Sequence, residues 1–396
     1  MKRTLIVAAV AAAVLAGPAT AAYYTPEELA KINLFRQMDL ETGALTTQIS
    51  MVNSSPGGSS GGDIRYIIDG GGSQWQRDWY NQPLTPWNDP KDGPQNDHSV
   101  SLLIEMNASK AIGSITQYFD LYNGEVPRLY RILGSNDLEG GWSDLTGWRE
   151  GNTENAGGRT ITTAINGSYQ YLQFEYIGIP VHSQNADAGT ERDLFYLREI
   201  VATPMAGSQI ETTSGYTLTP VIYTASLQPG ADPLIAAHNG VSGNSSLGWK
   251  DPPGNVTNGN PLSFLRPSDH NDGWFVLSLN DLHRLAGFAV GTYNSAWNDI
   301  LIQYTDEDIF AEDWDDSNWK FAYEQKTALT STFGMRFFFD EETGESTTID
   351  ARYLRISTTK GNGTVCDFEL YAVPIPEPMT MSLLALGGLA LLRRRK

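Results

Sequence analysis

Two stretches of this chain mix aromatic rings with amides, carboxylates and a guanidinium in proportions that suit the capture of a sugar. In the first, Trp79, Tyr80 and Trp87 sit among Arg77, Asp78, Asn81, Asn88 and Asp89, in a proline-broken run not expected to form a regular strand. In the second, Tyr293, Asn294, Trp297, Asn298 and Asp299 repeat the mixture. A sugar offers an apolar C–H face to an aromatic ring, while its hydroxyls need Asp, Asn and Arg partners. The residues expected to contact such a ligand are Arg77, Trp79, Trp87, Tyr293 and Trp297. The competing reading is that these rings pack against the end of a domain. Trp75, Trp142 and Trp319 stand at strand-like positions and read as core.

Other chemistry is sparse. No nucleophile elbow of a hydrolase is expected. His98, His182, His238, His270 and His283 show no His-x-x-x-His spacing, and with Cys366 alone a zinc site is not supported. Carboxylates are numerous enough to admit a glycosidase-like pair, but that abundance is also what a solvated acidic surface looks like. The chain is therefore read as non-catalytic. Asp306 to Asp316 holds seven acids in eleven residues, interrupted by Ile309, Phe310, Ala311 and Trp314. It lacks the glycine that an EF-hand loop needs at its sixth position, so it reads as an acidic solvated connection, with a loose cation site as the alternative.

The chain carries 27 basic and 46 acidic residues. Six of the basic ones (Lys2, Arg3, Arg393, Arg394, Arg395 and Lys396) lie in terminal segments that read as targeting signals; without them the balance is 21 against 46, near −25. So acidic a surface repels phosphate backbones and argues against nucleic acid as a partner. Cys366 cannot form an intramolecular disulfide and reads as a small apolar filler, or as one half of an intermolecular bridge.

Both termini read as addresses. Lys2-Arg3, the apolar run Leu5 to Leu15 and Ala19-Thr20-Ala21 make a secretory signal peptide over residues 1–21. At the other end Pro376-Glu377-Pro378 precedes a largely apolar run of 14 residues, Met379 to Leu392, and then Arg393-Arg394-Arg395-Lys396. That run is shorter than the ~20 residues a helix needs to cross a bilayer, and the basic cluster would hold its end on the cytoplasmic side. The three-part layout of residues 374–396 resembles the PEP-CTERM sorting signal of Gram-negative bacteria. The resemblance implies an exosortase-type enzyme as partner, transient membrane contact through a C-terminal hydrophobic sorting helix, and delivery to the cell envelope, outer surface or exterior after processing. A plain C-terminal anchor is the alternative.

Between the signals, Thr25-Pro26-Glu27-Glu28 predicts the start of a short helix, with Thr25 as N-cap and Glu28 completing a capping box. Leu29, Ile32, Leu34, Phe35 and Met38 give it an apolar face to about Leu40. Asn53 to Gly62 reads as a flexible linker by composition, closing the segment 22–62. Thereafter short β-rich runs alternate with Gly, Asn, Asp and Pro clusters, which predicts an all-β sandwich or barrel. Residues 204–219 read as a junction between blocks 63–203 and 220–373, and those blocks look like each other. Leu102 to Met106 answers Phe275 to Leu279, and Tyr130 to Leu133 answers Ile300 to Gln303. Tyr171 to Phe174 answers Tyr353 to Ile356, and Leu197 to Ile200 answers Asp367 to Leu370. An Asp-Gly or Asn-Gly step before a tryptophan (Asp69 and Trp75, Asn239 and Trp249) precedes each set. Five matches in one order point to an internal duplication.

The order of those elements resembles the discoidin family, or coagulation-factor type C domain. The resemblance implies two tandem jelly-roll β-sandwich domains, the second more divergent. The paired cysteines common in the family are missing here, as in many bacterial carbohydrate-binding members. The resemblance further implies a structural calcium where the early Asp-Gly loop meets the closing Glu: Asp69, Ser73 and Glu199 in the first block, Asn239, Ser242 and Glu369 in the second. Asp69 and Asn239 as simple turn formers are the alternative. The function this implies is binding of glycan or exopolysaccharide, with a structural or adhesive matrix protein and a carbohydrate-active enzyme as alternatives.

Overall fold

The computed structural model describes residues 33–36, 38–39, 42–69, 75–80, 85–89, 93–119, 127–151, 160–177, 192–206, 217–218, 220–221, 223–226, 273–293, 299–309, 311, 313–327, 334–358 and 364–373. These residues are nearly all β. The only helical turns among them are 3-10, at Ile64–Ile68 and Asp316–Asn318, and none of their helices is long and apolar enough to cross a membrane. Both terminal signals, with Pro376, Glu377, Pro378, Arg393, Arg394 and Arg395, lie outside the described residues.

The first half contributes strands β1 (Met38–Asp39), β2 (Gln48–Ser54), β3 (Ser59–Gly61), β4 (Trp75–Tyr80), β5 (Thr85–Asp89), β6 (Gly93–Asp97), β7 (Ser99–Phe119), β8 (Leu129–Ser135), β9 (Ser143–Asp144), β10 (Arg149–Glu150), β11 (Thr160–Ile177) and β12 (Arg192–Pro204). The second half contributes β13 (Thr217–Leu218), β14 (Pro220–Val221), β15 (Tyr223–Ser226), β16 (Gly273–Tyr293), β17 (Ile300–Thr305), β18 (Lys320–Gln325), β19 (Arg336–Phe337), β20 (Ile349–Thr358) and β21 (Thr364–Val373). All pairings are antiparallel, in one nine-stranded and one eight-stranded sheet with two small ribbons beside them.

Each large sheet folds over on itself through two long strands. The first part of β7 lies between β2 and the second part of β11, and its later part lies between β12 and the first part of β11. Between Glu105 and Lys110 the pairing with β11 is interrupted. Buried side chains on β7 fall on even positions before the break (Val100, Leu102, Ile104, Met106) and on odd ones beyond Gly113 (Ile115, Gln117, Phe119). A bulge that shifts the side-chain period by one keeps both parts facing a common core. That core joins Leu102 and Ile104 to Phe119, Phe174, Phe195 and Trp75.

The second sandwich repeats this plan with β16, β20, β17, β21 and β15 in the places of β7, β11, β8, β12 and β2. The registers repeat too. Leu102, Phe174 and Ile132 lie abreast in the first sheet, as Phe275, Ile356 and Ile302 do in the second. The duplication read from sequence is thus repeated strand by strand.

Two sequence expectations fail. Residues 33–36 and 38–39, at the end of the expected helix, are not helical: Leu34 and Phe35 form a turn and Met38–Asp39 pairs with β13. The start of that helix, Thr25 to Ile32, lies outside the described residues. Nor is Asn53 to Gly62 a free linker, because it contains the end of β2, a turn and β3, which pairs with β4. Its glycines serve close approach. A Cβ on Gly58 would stand 2.7 Å from the Trp79 indole nitrogen and 2.8 Å from Arg77 Nε.

Candidate functional site

One end of the first sandwich holds Trp79, the first of the candidate aromatic residues. The end of β2, the start of β7, the end of β11 and the start of β8 lie side by side there, since Ser54 faces Val100 and Ile177 faces both Ser99 and Leu129. Trp79 ties the end of β4 to them. Its indole N–H donates to the Ser55 carbonyl at 3.1 Å, and its ring lies flat on His98, centroids 4.9 Å apart. Trp79 is only 1 % exposed. This corrects the ligand-contact expectation: Trp79 is the floor of this end. Arg77 sits 5.8 Å from the Trp79 ring centroid and donates from Nε to Ser54 Oγ and from Nη1 to Ser60 Oγ. Its guanidinium is therefore oriented by the chain's own hydroxyls.

Trp87 lies at the centre of the β5–β6 hairpin, opposite Gln95, so the expectation of an irregular run fails there. Pro86 and Pro94 are tolerated because this ribbon has two strands and therefore only edges. The hairpin lies in the chain between β4 and His98, the two ends of the Trp79 floor. In the second sandwich Tyr293 closes β16, opposite Thr364, and Trp297 lies outside the described residues. Of the tryptophans read as core, Trp75 is buried, Trp319 packs partly buried against a small cluster on the outer face of the second sheet, and Trp142 is half-buried.

The proposed cation ligands divide by sandwich. Asp69 ends the 3-10 helix that packs against β12, and Glu199 projects from β12. Both are buried, at 0 % and 1 % exposure. Glu199 Oε1 accepts a hydrogen bond from Asn33 Nδ2 at 3.3 Å. Burial first, and the charge of Glu199 second, push the Tyr118 hydroxyl above its ordinary pKa. Carboxylates in a low-dielectric interior need a counter-charge or a set of donors, and oxygen ligands of this type are those a hard cation takes. Ser73 lies outside the described residues. No group of three or more His, Cys, Asp or Glu that could hold a metal occurs among the described residues.

The second sandwich does not fit. Glu369 stands on β21 as Glu199 does on β12, yet its Oε2 accepts from Arg36 Nε at 2.5 Å and from the Tyr371 hydroxyl at 2.6 Å. A guanidinium holds the place a metal would need, which removes Glu369 as a metal ligand. Asn239 and Ser242 lie outside the described residues. Arg36 and Asn33 escape a sequence reading because a helical pattern places them on a polar face, whereas the turn and short strand seen here bury both.

The acidic stretch is a connection. Ile309 and Trp314 turn inward onto Val276 and Tyr353, while its carboxylates find partners at the surface. Asp306 pairs with Lys320 at 2.8 Å and Glu307 accepts from Asn318 at 2.7 Å. The Lys320 ammonium beside Asp306 holds that carboxyl below its ordinary pKa. Gly57 to Gly61 carries a Gly-x-Ser-x-Gly spacing. Ser59 lies there on the short strand β3, not at a strand-to-helix turn, so it forms no nucleophile elbow.

No protein-family profile and no curated protein sequence matches the chain. Among solved structures, the chain is similar to the CBM32-1 and CBM32-2 domains of ZmpB from Clostridium perfringens in complex with GalNAc, at 12 % identity over 88 % of this chain and 94 % of that one, TM-score 0.29. It is also similar to a fucolectin from striped bass (Morone saxatilis) serum, at 13 % identity over 89 % of this chain and 100 % of that one, TM-score 0.26. An allantoicase aligns at 10 % identity over 89 % of this chain and 100 % of that one, TM-score 0.30.

Proposed function

We propose that this chain is an exported, non-catalytic glycan-binding protein, delivered to the envelope or exterior by its signal peptide and PEP-CTERM-type tail. The observation that carries the reading is the rigid Trp79–His98 floor at one end of the first sandwich, whose two residues are joined in the chain by a hairpin that carries Trp87. The Trp79–His98 stack fixes the strand ends, and the β5–β6 hairpin that carries Trp87, Asn88 and Asp89 joins those ends in the chain. An aromatic ring on a supported frame loses little entropy when a sugar face stacks on it. Stacking of this kind holds many sugars weakly, with an affinity in the millimolar to micromolar range, or roughly 4–8 kcal/mol. Two sandwiches on one chain raise avidity on a polymer when both ends engage together. Calcium on Asp69 and Glu199 would stiffen the first sandwich.

Retention of the mature chain on immobilised polysaccharides tests the reading. Trp87→Ala is expected to weaken retention about tenfold or more with the melting temperature unchanged, and Trp297→Ala to weaken it less. Retention at the parental level in a folded double variant sinks the proposal. Intact mass tests export: the mature species should end near Pro376–Pro378, and a full-length tail on secreted protein contradicts the sorting signal.

A further inference from the structure

The chain segment 33–45 touches both sandwiches within three residues. Asn33 and Leu34 dock on β12: Leu34 N–H donates to the Ala202 carbonyl at 2.8 Å, and Ala202 N–H donates to Asn33 Oδ1 at 3.1 Å. Phe35 enters the core of the first sandwich. Three residues later Met38 packs with Ala286, Ala289 and Tyr371 of the second. Between them Arg36, 1 % exposed, reaches Glu369 on β21. Met38–Asp39 then pairs with β13, and the Gly43 carbonyl accepts from Met335 N–H at 2.6 Å. Leu45 packs against the first core and against the small cluster that Met38 forms on the second sandwich.

The closing glutamates of the two sandwiches are therefore served by one segment in two ways. Glu199 receives a neutral amide from Asn33, and Glu369 receives a charge from Arg36. A carboxylate this deeply buried needs a counter-charge or a full set of donors. We infer that Arg36 is the second sandwich's own cation, brought by a strap that clamps the two sandwiches into one body. The tethered guanidinium takes the role that a metal ion would have at this position. Because its tether is anchored in the first sandwich, neutralising Glu369 also ties the second sandwich to the first. This inference rests on the contacts of Arg36 and not on glycan binding.

Calorimetry and limited proteolysis on the full mature chain, with Arg36→Gln, Glu369→Gln and the double variant, test it. The parent is expected to unfold in a single transition. Arg36→Gln leaves Glu369 buried without its counter-ion, and should lower the melting temperature by roughly 5–15 °C and split unfolding into two transitions. It should also expose the strap to protease. The double variant has no buried charge to neutralise and should recover most of the lost temperature, though not the tight coupling. Should Arg36→Gln fail to fold, a folded double variant still supports the inference, and a double variant that also fails overturns it. Two transitions in the parent, or equal melting of Arg36→Gln and the double variant, overturn it as well.

Discussion

The indole of Trp79 lies on the imidazole of His98 with ring planes 14° apart, and its N–H closes on the Ser55 carbonyl. Three strand ends are tied by that one side chain. Ser55 N–H donates to the Ser99 carbonyl, and Ser55 Oγ accepts from Ser99 N–H. The residue that most invites a binding role from sequence is thereby a structural keystone.

Trp79→Ala should accordingly act on stability. Removing a fully buried tryptophan costs about 3–5 kcal/mol, and the Ser55 carbonyl loses its donor. Trp79→Phe keeps the ring but not the N–H, and should cost about 1–3 kcal/mol. Denaturant unfolding reads both. A variant that stays as stable as the parent while losing polysaccharide retention would return Trp79 to the binding surface.

How far the sequence reaches is clearest from particular residues. Leu172 and Phe174 against Gln173, and Leu354 and Ile356 against Arg355, alternate as half-buried strands must, and the paired registers bear that pattern out. The strap was illegible because Leu34, Phe35 and Met38 suit a helix face and equally a chain crossing from the first core to a small apolar cluster on the second sandwich. Asn53 to Gly62 misled because glycine allows close approach as readily as disorder. The Arg36–Glu369 pair spans 333 residues, and no local pattern announces a contact of that range.

Glycine positions give a sharper test of the second sandwich. A Cβ on Gly287 would stand 2.2 Å from the Arg336 carbonyl oxygen and 2.9 Å from its carbon. Both are backbone atoms of the paired strand β19, so they yield only by breaking the Gly287–Phe337 pairing. Gly287→Ala should destabilise the sandwich by about 1–3 kcal/mol. Gly140→Ala, where nothing lies within 4 Å, serves as the control and should melt with the parent. Equal melting of all three proteins would contradict the strand pairing.

Acid stability follows from a set of surface carboxylates. Hydrogen bonds from Arg65, Lys320, Ser317 and Arg284 hold Asp63, Asp306, Asp315 and Asp350 below the ordinary value of 3.8, and the Thr343 N–H and hydroxyl do the same for Asp340. A carboxyl whose folded pKa is depressed contributes stability above its unfolded pKa and loses it as pH falls through the folded value. These groups should therefore leave stability level down to about pH 4 and erode it below. Being exposed, each contributes little and less still in high salt. Urea midpoints from neutral to about pH 3 measure this, and a rise in stability on acidification would reverse the assigned sign.

Calcium gives the prediction that separates the two sandwiches. Asp69 and Glu199 are buried carboxylates on packed elements, and Glu369 is paired with Arg36. A cation that binds only the folded state stabilises by RT ln(1 + [L]/Kd), about 2.7 kcal/mol at a hundredfold excess over Kd. Chelator should therefore lower the melting temperature of the parent, and Asp69→Asn should abolish that sensitivity by removing one of the two charges. Glu369→Gln should keep it, whatever that substitution does to the coupling of the sandwiches. Thermal melts with calcium and with EDTA, paired with elemental analysis, decide the matter. An unchanged melt in EDTA with no bound calcium removes the first site. Chelator sensitivity that vanishes only in Glu369→Gln would move the ion to the sandwich where the guanidinium now sits.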